Sequence, residues 1–186
     1  MSQDILIKNA QTVLTMDLAR RELHAVDIHL SMGQIKAIGS CLSVPEGAYI
    51  LDASMCIVTP GLVNTHHHLF QSLTRAVPGG QNALLFGWLQ TLYPIWTKFT
   101  PDHMRISAMV GLAELALSGC TMSTDHLYLF PNGSRLEDTI EAAHEIGLRF
   151  FPTRGAMSIG QSLGGLPPDS LVEREEAILN DCIRVV

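Results

Sequence analysis

Basic charge is scarce in this 186-residue sequence, with lysine only at Lys8, Lys36 and Lys98 and a formal net charge of −6. The arginines are scattered and form no basic stripe, so neither nucleic acid nor an anionic membrane surface is expected as a partner. Cysteine is scarce as well: Cys41, Cys56, Cys120 and Cys182 stand far apart, with no Cys-x-x-Cys pair. Such spacing argues against a disulfide framework and for reduced thiols in a cytoplasmic protein. No apolar run is long enough to span a bilayer, and Met1-Ser2-Gln3-Asp4 lacks the basic start of a secretory leader. Without a secretory route, Asn132-Gly133-Ser134 reads as a turn and not as a glycosylation site.

What the chain does have is two kinds of hydrophobic period. Residues 1–55 alternate as strands do: Ile5 with Ile7, Val13 with Thr15, and Val26, Ile28 and Leu30 running through Met32-Gly33-Gln34 into Ile35, Ala37 and Ile38. This predicts a hairpin turning at Gly33. From Cys56 onward, strands alternate with helices, the signature of a parallel sheet. A first strand is expected from near Cys56 to the histidines at 66–68. Thr100-Pro101 then opens a helix that Gly119 stops, and its Ile106, Met109, Val110, Leu112 and Leu115 leave almost no polar face, so it is expected to be buried. Thr121 to Leu127 is the second strand, and Arg149 to Met157 the third. Ser134-x-x-Glu137 and Ser170-x-x-Glu173 both have capping-box spacing and are expected to start helices. The last helix runs to Val185-Val186 with no stop signal, which, with fewer residues than a whole barrel of about 250 needs, is read as the N-terminal portion of a longer enzyme.

His66-His67-His68 is the segment richest in chemistry. At the end of a strand, His66 and His68 project to one side and His67 to the other. Two neutral imidazoles from one rigid strand end form half a site for a divalent metal such as zinc. A polar loop that happens to hold three histidines is the bland alternative; the Val/Leu-rich run before the triplet favours the metal.

Pro60-Gly61-Leu62-Val63-Asn64-Thr65-His66-His67-His68-Leu69 resembles the first-strand motif of the amidohydrolase superfamily. The stretches Gln71 to Arg75, Gly119-Cys120-Thr121, Asp125-His126-Leu127-Tyr128 and Thr153-Arg154-Gly155 extend the likeness to its aminohydrolase branch, which deaminates heterocycles. The resemblance implies an α/β fold. It would comprise the first part of a distorted TIM (β/α)8 barrel over residues 56–186, after an incomplete small β-sandwich over 1–55. It implies one divalent metal, zinc first, on His66 and His68, and substrate contacts from Gln71, His126 and Arg154. Trp88, in an aromatic segment that could form a lid or plain packing, is a further substrate-binding candidate. His126 could equally support a ligand from behind, and Arg154 could sit in an ion pair. Asp125 reads as structural. The proton-transferring groups and remaining ligands are expected beyond Val186. The implied reaction is hydrolytic deamination of a purine-like small molecule, 8-oxoguanine to urate and ammonia first, by a protein that is a homo-oligomer when full length. Hydroxylated s-triazines and pterins are the competing substrates, and a non-catalytic truncated interaction protein the competing class.

Overall fold

The computed structural model describes residues 4–186; Met1 to Gln3, where the search for a leader begins, lie outside them. The chain divides into two compact units, Met1–Pro60 and Gly61–Val186.

In the first unit β1 (Ile5–Leu14) pairs antiparallel with β2 (Glu22–Ser31), which turns into β3 (Gln34–Gly39), while β4 (Tyr49–Asp52) and β5 (Ile57–Val58) run parallel to β1. The expected hairpin turns at Met32 and Gly33, at φ 51° and 72°, the left-handed pair whose twist suits adjoining strands. Strict alternation fails in β1, where the register shifts between Ile7 and Ala10 and Asn9 takes φ 55°. Ala10 and Val13 join Ile28 and Ala53 in the core. Buried Asp27 secures the irregular stretches, accepting the N–H of Asn9 at 2.8 Å and of Leu42 at 3.0 Å. Among the described residues this unit forms one five-stranded sheet.

The second unit carries a three-stranded parallel sheet in the order β6 (Leu62–Asn64), β7 (Cys120–Leu127), β8 (Arg149–Arg154). Helices α1 (Leu85–Trp96) and α2 (Pro101–Leu117) link β6 to β7, α3 (Leu136–Ile146) links β7 to β8, and α4 (Glu175–Arg184) follows. The first strand differs from expectation. Ile57–Val58 belongs to the other sheet, and Pro60, which has no N–H to donate, separates it from β6. β6 stops at Asn64, so the three histidines lie beyond the strand and not in it.

Two helix starts also differ. α3 is capped at Arg135, whose N–H donates to Asp138 Oδ2 at 2.8 Å, while the Ser134 hydroxyl turns back to the Pro131 carbonyl at 2.6 Å. α4 begins after Arg174, because the Glu173 carboxylate that would have closed a capping box is held by Arg154 at 2.6 Å. Helix α2 starts where expected but is buried on one face alone: Met104, Ala108 and Leu112 are buried, whereas Ile106, Val110 and Leu117 are exposed. The core of this unit has two clusters, an aromatic one around Phe70, Tyr93, Trp96 and Phe99 and an aliphatic one around Leu69, Ala108, Leu112 and Ala142. Among the described residues no helix is long and apolar enough to cross a membrane.

Candidate metal and substrate site

Asn64 ends β6 with its own side chain: Oδ1 accepts the His66 N–H at 3.0 Å, a local turn that competes with the sheet ladder. The chain then leaves the sheet in a loop carrying the three histidines. The rings of His66 and His68 still meet, with centroids 5.2 Å apart and planes at 88°. His67 is half-buried, and among the described residues its buried Nδ1 has no hydrogen-bond partner. Burial first, then the neighbouring charges of His68 and Arg75, hold the His67 imidazole below its ordinary pKa. The rings of His66 and His68 thus meet in a loop and not through the strand alternation expected for them.

His68 is fixed further. Its Nδ1 lies 2.8 Å from the carbonyl of His126. A carbonyl can only accept, so Nδ1 carries a proton, and in the neutral imidazole that leaves the lone pair on Nε2, the arrangement seen in metal-ligating histidines. One residue earlier, the His67 carbonyl accepts the His126 N–H at 2.9 Å. These observations fit a divalent metal: two imidazoles, one with its ligating nitrogen set by backbone. Among the described residues no group of three or more His, Cys, Asp or Glu converges, so the pair is a partial donor set.

Around these rings stand His126, near the end of β7, and Tyr128, the residue that follows the strand. The His126 ring lies 5.3 Å from that of His68, and Tyr128 stands 5.2 Å from His68 at 85°. Burial, then the charges of His68 and His66, push the His126 pKa down. Burial also raises the Tyr128 hydroxyl to about 12, so it stays protonated. Gln71 sits in a 3-10 turn, Leu69–Thr74, and its Nε2 donates to the Tyr128 hydroxyl at 3.3 Å. Tyr128 is the residue that sequence reasoning missed. Its signal was available, two positions after His126 and therefore on the same side of an extended chain.

Gly155 makes room for this cluster. A Cβ there would fall 2.4 Å from His126 Nε2 and 2.8 Å from Tyr128 Cβ. Asp125 points the other way into the interior, fully buried, and burial raises its carboxyl to about 6 against the pull of the Leu69 and His126 N–H groups.

Two expected substrate contacts are committed elsewhere. The Arg154 side chain, 4% exposed, donates to Asp181 (3.0 Å), Glu173 (2.6 Å) and the Gly155 carbonyl (2.6 Å), and lies over the Phe130 ring at 4.2 Å. It is a brace and not a substrate fork. Trp88 lies inside α1, packs 5.5 Å from the ring of Trp96 and faces Gly80, as part of the aromatic core. Gly87, beside it, is an ordinary helical position.

Residues 57–184 match the Amidohydrolase family. Over 137 residues, 73% of this chain and 30% of the relative, the sequence is 50% identical to an 8-oxoguanine deaminase of Pseudomonas aeruginosa. It is 36% identical over 174 residues to an isoxanthopterin deaminase from an unknown prokaryotic organism, covering 89% of this chain and 36% of that one. Among solved structures, an atrazine chlorohydrolase from Arthrobacter aurescens complexed with zinc superposes with a TM-score of 0.87 at 33% identity, covering 97% of this chain and 42% of that one. The chain therefore spans about a third of the length of the curated relatives it matches.

Proposed function

Since this chain belongs to the amidohydrolase family, we propose that it carries part of the active site of a metal-dependent heterocycle deaminase, with 8-oxoguanine as first substrate and urate and ammonia as products. The observation that carries the reading is the His66–His68 pair, with His68 Nδ1 tied to backbone, in a chain that is 50% identical over 137 residues to an 8-oxoguanine deaminase. In this reading β6, β7 and β8 with their helices open a (β/α)8 barrel, catalytic groups gather past the C-terminal strand ends, and residues 1–55 are part of a small β-sandwich.

His66 and His68 would hold one divalent ion, zinc first by imidazole chemistry and by the zinc complex of the chlorohydrolase. Such an ion supplies Lewis acidity and lowers the pKa of water toward neutrality. The remaining work described here falls to side chains. Gln71 has both donor and acceptor capacity, and with Nε2 on Tyr128 its carbonyl oxygen would accept from a ring N–H. The Tyr128 hydroxyl, accepting from Gln71, keeps its own proton to give to a ring oxygen. His126, held below its ordinary pKa, presents a neutral imidazole beside them.

Two measurements on the full-length protein test the reading. Metal content should fall in His66→Ala and His68→Ala and persist in His67→Ala; equal loss at His67 and His68 removes the pair as ligands. Ammonia release should be fastest with 8-oxoguanine, and guanine should be far poorer, since a site built to bond a ring oxygen rejects analogues lacking it by up to about 10⁴–10⁵. Isoxanthopterin and hydroxylated triazines are the comparison substrates, chosen from the relatives. A higher kcat/KM with either keeps the deamination and changes the substrate.

A further inference from the structure

The loop bearing His66 and His68 lies outside the sheet, because β6 ends its pairing with β7 at Asn64 opposite Ser123. A ligand pair in a loop has to be held by something other than a strand ladder. Leu69, the residue after His68, is fully buried and is gripped at both ends of its backbone. Its N–H donates to Asp125 Oδ1 at 2.8 Å, and its carbonyl accepts the Ser107 hydroxyl at 2.7 Å. Asp125 belongs to β7 and Ser107 to α2, and both are 0% exposed.

These are costly choices for packing alone. A buried carboxylate is unfavourable unless its oxygens are bonded, and among the described residues Asp125 Oδ2 has no hydrogen-bond partner. Ser107 places a hydroxyl on the buried face of a helix whose neighbours there are Met104, Ala108 and Leu112. The approach is close as well: a Cβ on Gly111 would come within 2.7 Å of Leu69 Cδ2 and 2.8 Å of Ser72 Oγ, so α2 lies hard against the turn after His68. Adjacent residues of β7 thus hold three consecutive residues of the loop, His126 gripping 67 and 68 and Asp125 gripping 69.

We propose that Asp125 and Ser107 are positioning residues for the metal site, clamping the Leu69 peptide from two elements and so fixing the direction of the His68 imidazole. This rests on the reading of His66 and His68 as ligands. Supporting groups behind metal-binding histidines change metal affinity by about 10–100-fold when removed. Asp125→Ala and Ser107→Ala are therefore expected to speed zinc capture by a chromophoric chelator from the full-length protein by about 10–100-fold. Both should also alter the visible absorption of the cobalt(II)-loaded protein. Asp125→Asn keeps an acceptor for the Leu69 N–H and is expected to bring the capture rate back toward the native one.

Three results overturn the proposal. The first is a native capture rate in both alanine variants, with only the melting temperature of the metal-free protein lowered. The second is an asparagine variant that folds and releases zinc as fast as the alanine variant. The third is a native protein that binds no zinc removable by His66→Ala or His68→Ala; then the ligand reading falls too, whereas the first two results leave it standing. Should Asp125 variants not fold, Ser107→Ala decides alone: faster capture at an unchanged metal-free melting temperature supports the clamp, and unchanged capture ends it.

Discussion

At the scale of single residues, what His126 can do is set by a neighbour with no side chain. Gly155 lies where any Cβ would sit 2.4 Å from the His126 ring, too close for the ring to stay. Gly155→Ala is expected to displace His126 and Tyr128 together and to lower kcat/KM, while His66 and His68 retain their metal. Steady-state kinetics with a metal assay checks this, and unchanged kinetics would take His126 and Tyr128 away from substrate. Gln71 makes a sharper test. Gln71→Ala loses one or two hydrogen bonds and is expected to cost about 10–100-fold in kcat/KM with metal retained. Tyr128→Phe removes the acceptor that orients the Gln71 amide, so its effect should overlap with that of Gln71→Ala in a double-mutant cycle. Strict additivity would show that the two act separately. Gln71 was legible because it follows the histidines in the motif; Tyr128 had a signal in its spacing from His126, and the fold adds the contact of its ring with His68.

At the scale of elements, β8 and α4 are joined by a network of ion pairs. Arg154 at the end of β8 reaches Asp181 of α4 and Glu173 just before it, and Arg184 of α4 pairs with Asp181 and with Glu137 of α3. Burial pulls the Asp181 carboxyl up, but the hydrogen bonds and charges of Arg154 and Arg184 outweigh it and hold it below 3.8. A carboxyl whose folded pKa is depressed adds stability above its unfolded pKa and loses it as pH falls through the folded value. Asp181→Asn should therefore lower stability at neutral pH by about 1–2 kcal/mol, between an exposed and a buried pair. That difference should close as pH drops below 3.8. Melting curves of both proteins across the acid range check it, and a pH-independent difference would mean that packing and not charge is lost. The same network explains a misread start. Ser170-x-x-Glu173 has capping spacing, but Glu173 answers to Arg154, a partner 19 residues away that no local pattern reveals.

At the scale of the whole molecule, the parallel sheet of the second unit presents much apolar surface to solvent. Leu62, Val63 and Phe151 are 61%, 58% and 65% exposed, and Val63, Thr124 and Phe151 line an open groove across the sheet face. Strands β6 and β8 are the sheet's edges among the described residues, and unpaired edges with apolar faces favour association. The 186 residues made alone are expected to bind a hydrophobic dye such as ANS and to sediment as assemblies. A monomeric, dye-negative species in velocity sedimentation would show that this face is satisfied within the chain.

Local patterns alone determined several of the elements. Period two placed β1 to β3 and the turn at Gly33, Thr100-Pro101 placed the start of α2, and Gly147 at φ 80° closed α3 as a residue without a Cβ should. The histidine motif likewise located the metal candidates, because a metal site needs particular side chains at fixed spacing, and spacing is a property of sequence. Tertiary structure decided how those side chains are held. The histidines stand in a loop and not on a strand, the His68 ring is tied to the His126 carbonyl with the Leu69 backbone held beside it, and Arg154 is spent on α4. The hold on His68 and Leu69 and the commitment of Arg154 depend on groups 19 to 58 positions apart. Contacts at such separations are chosen by packing of whole elements, so their partners cannot be read from neighbouring residues.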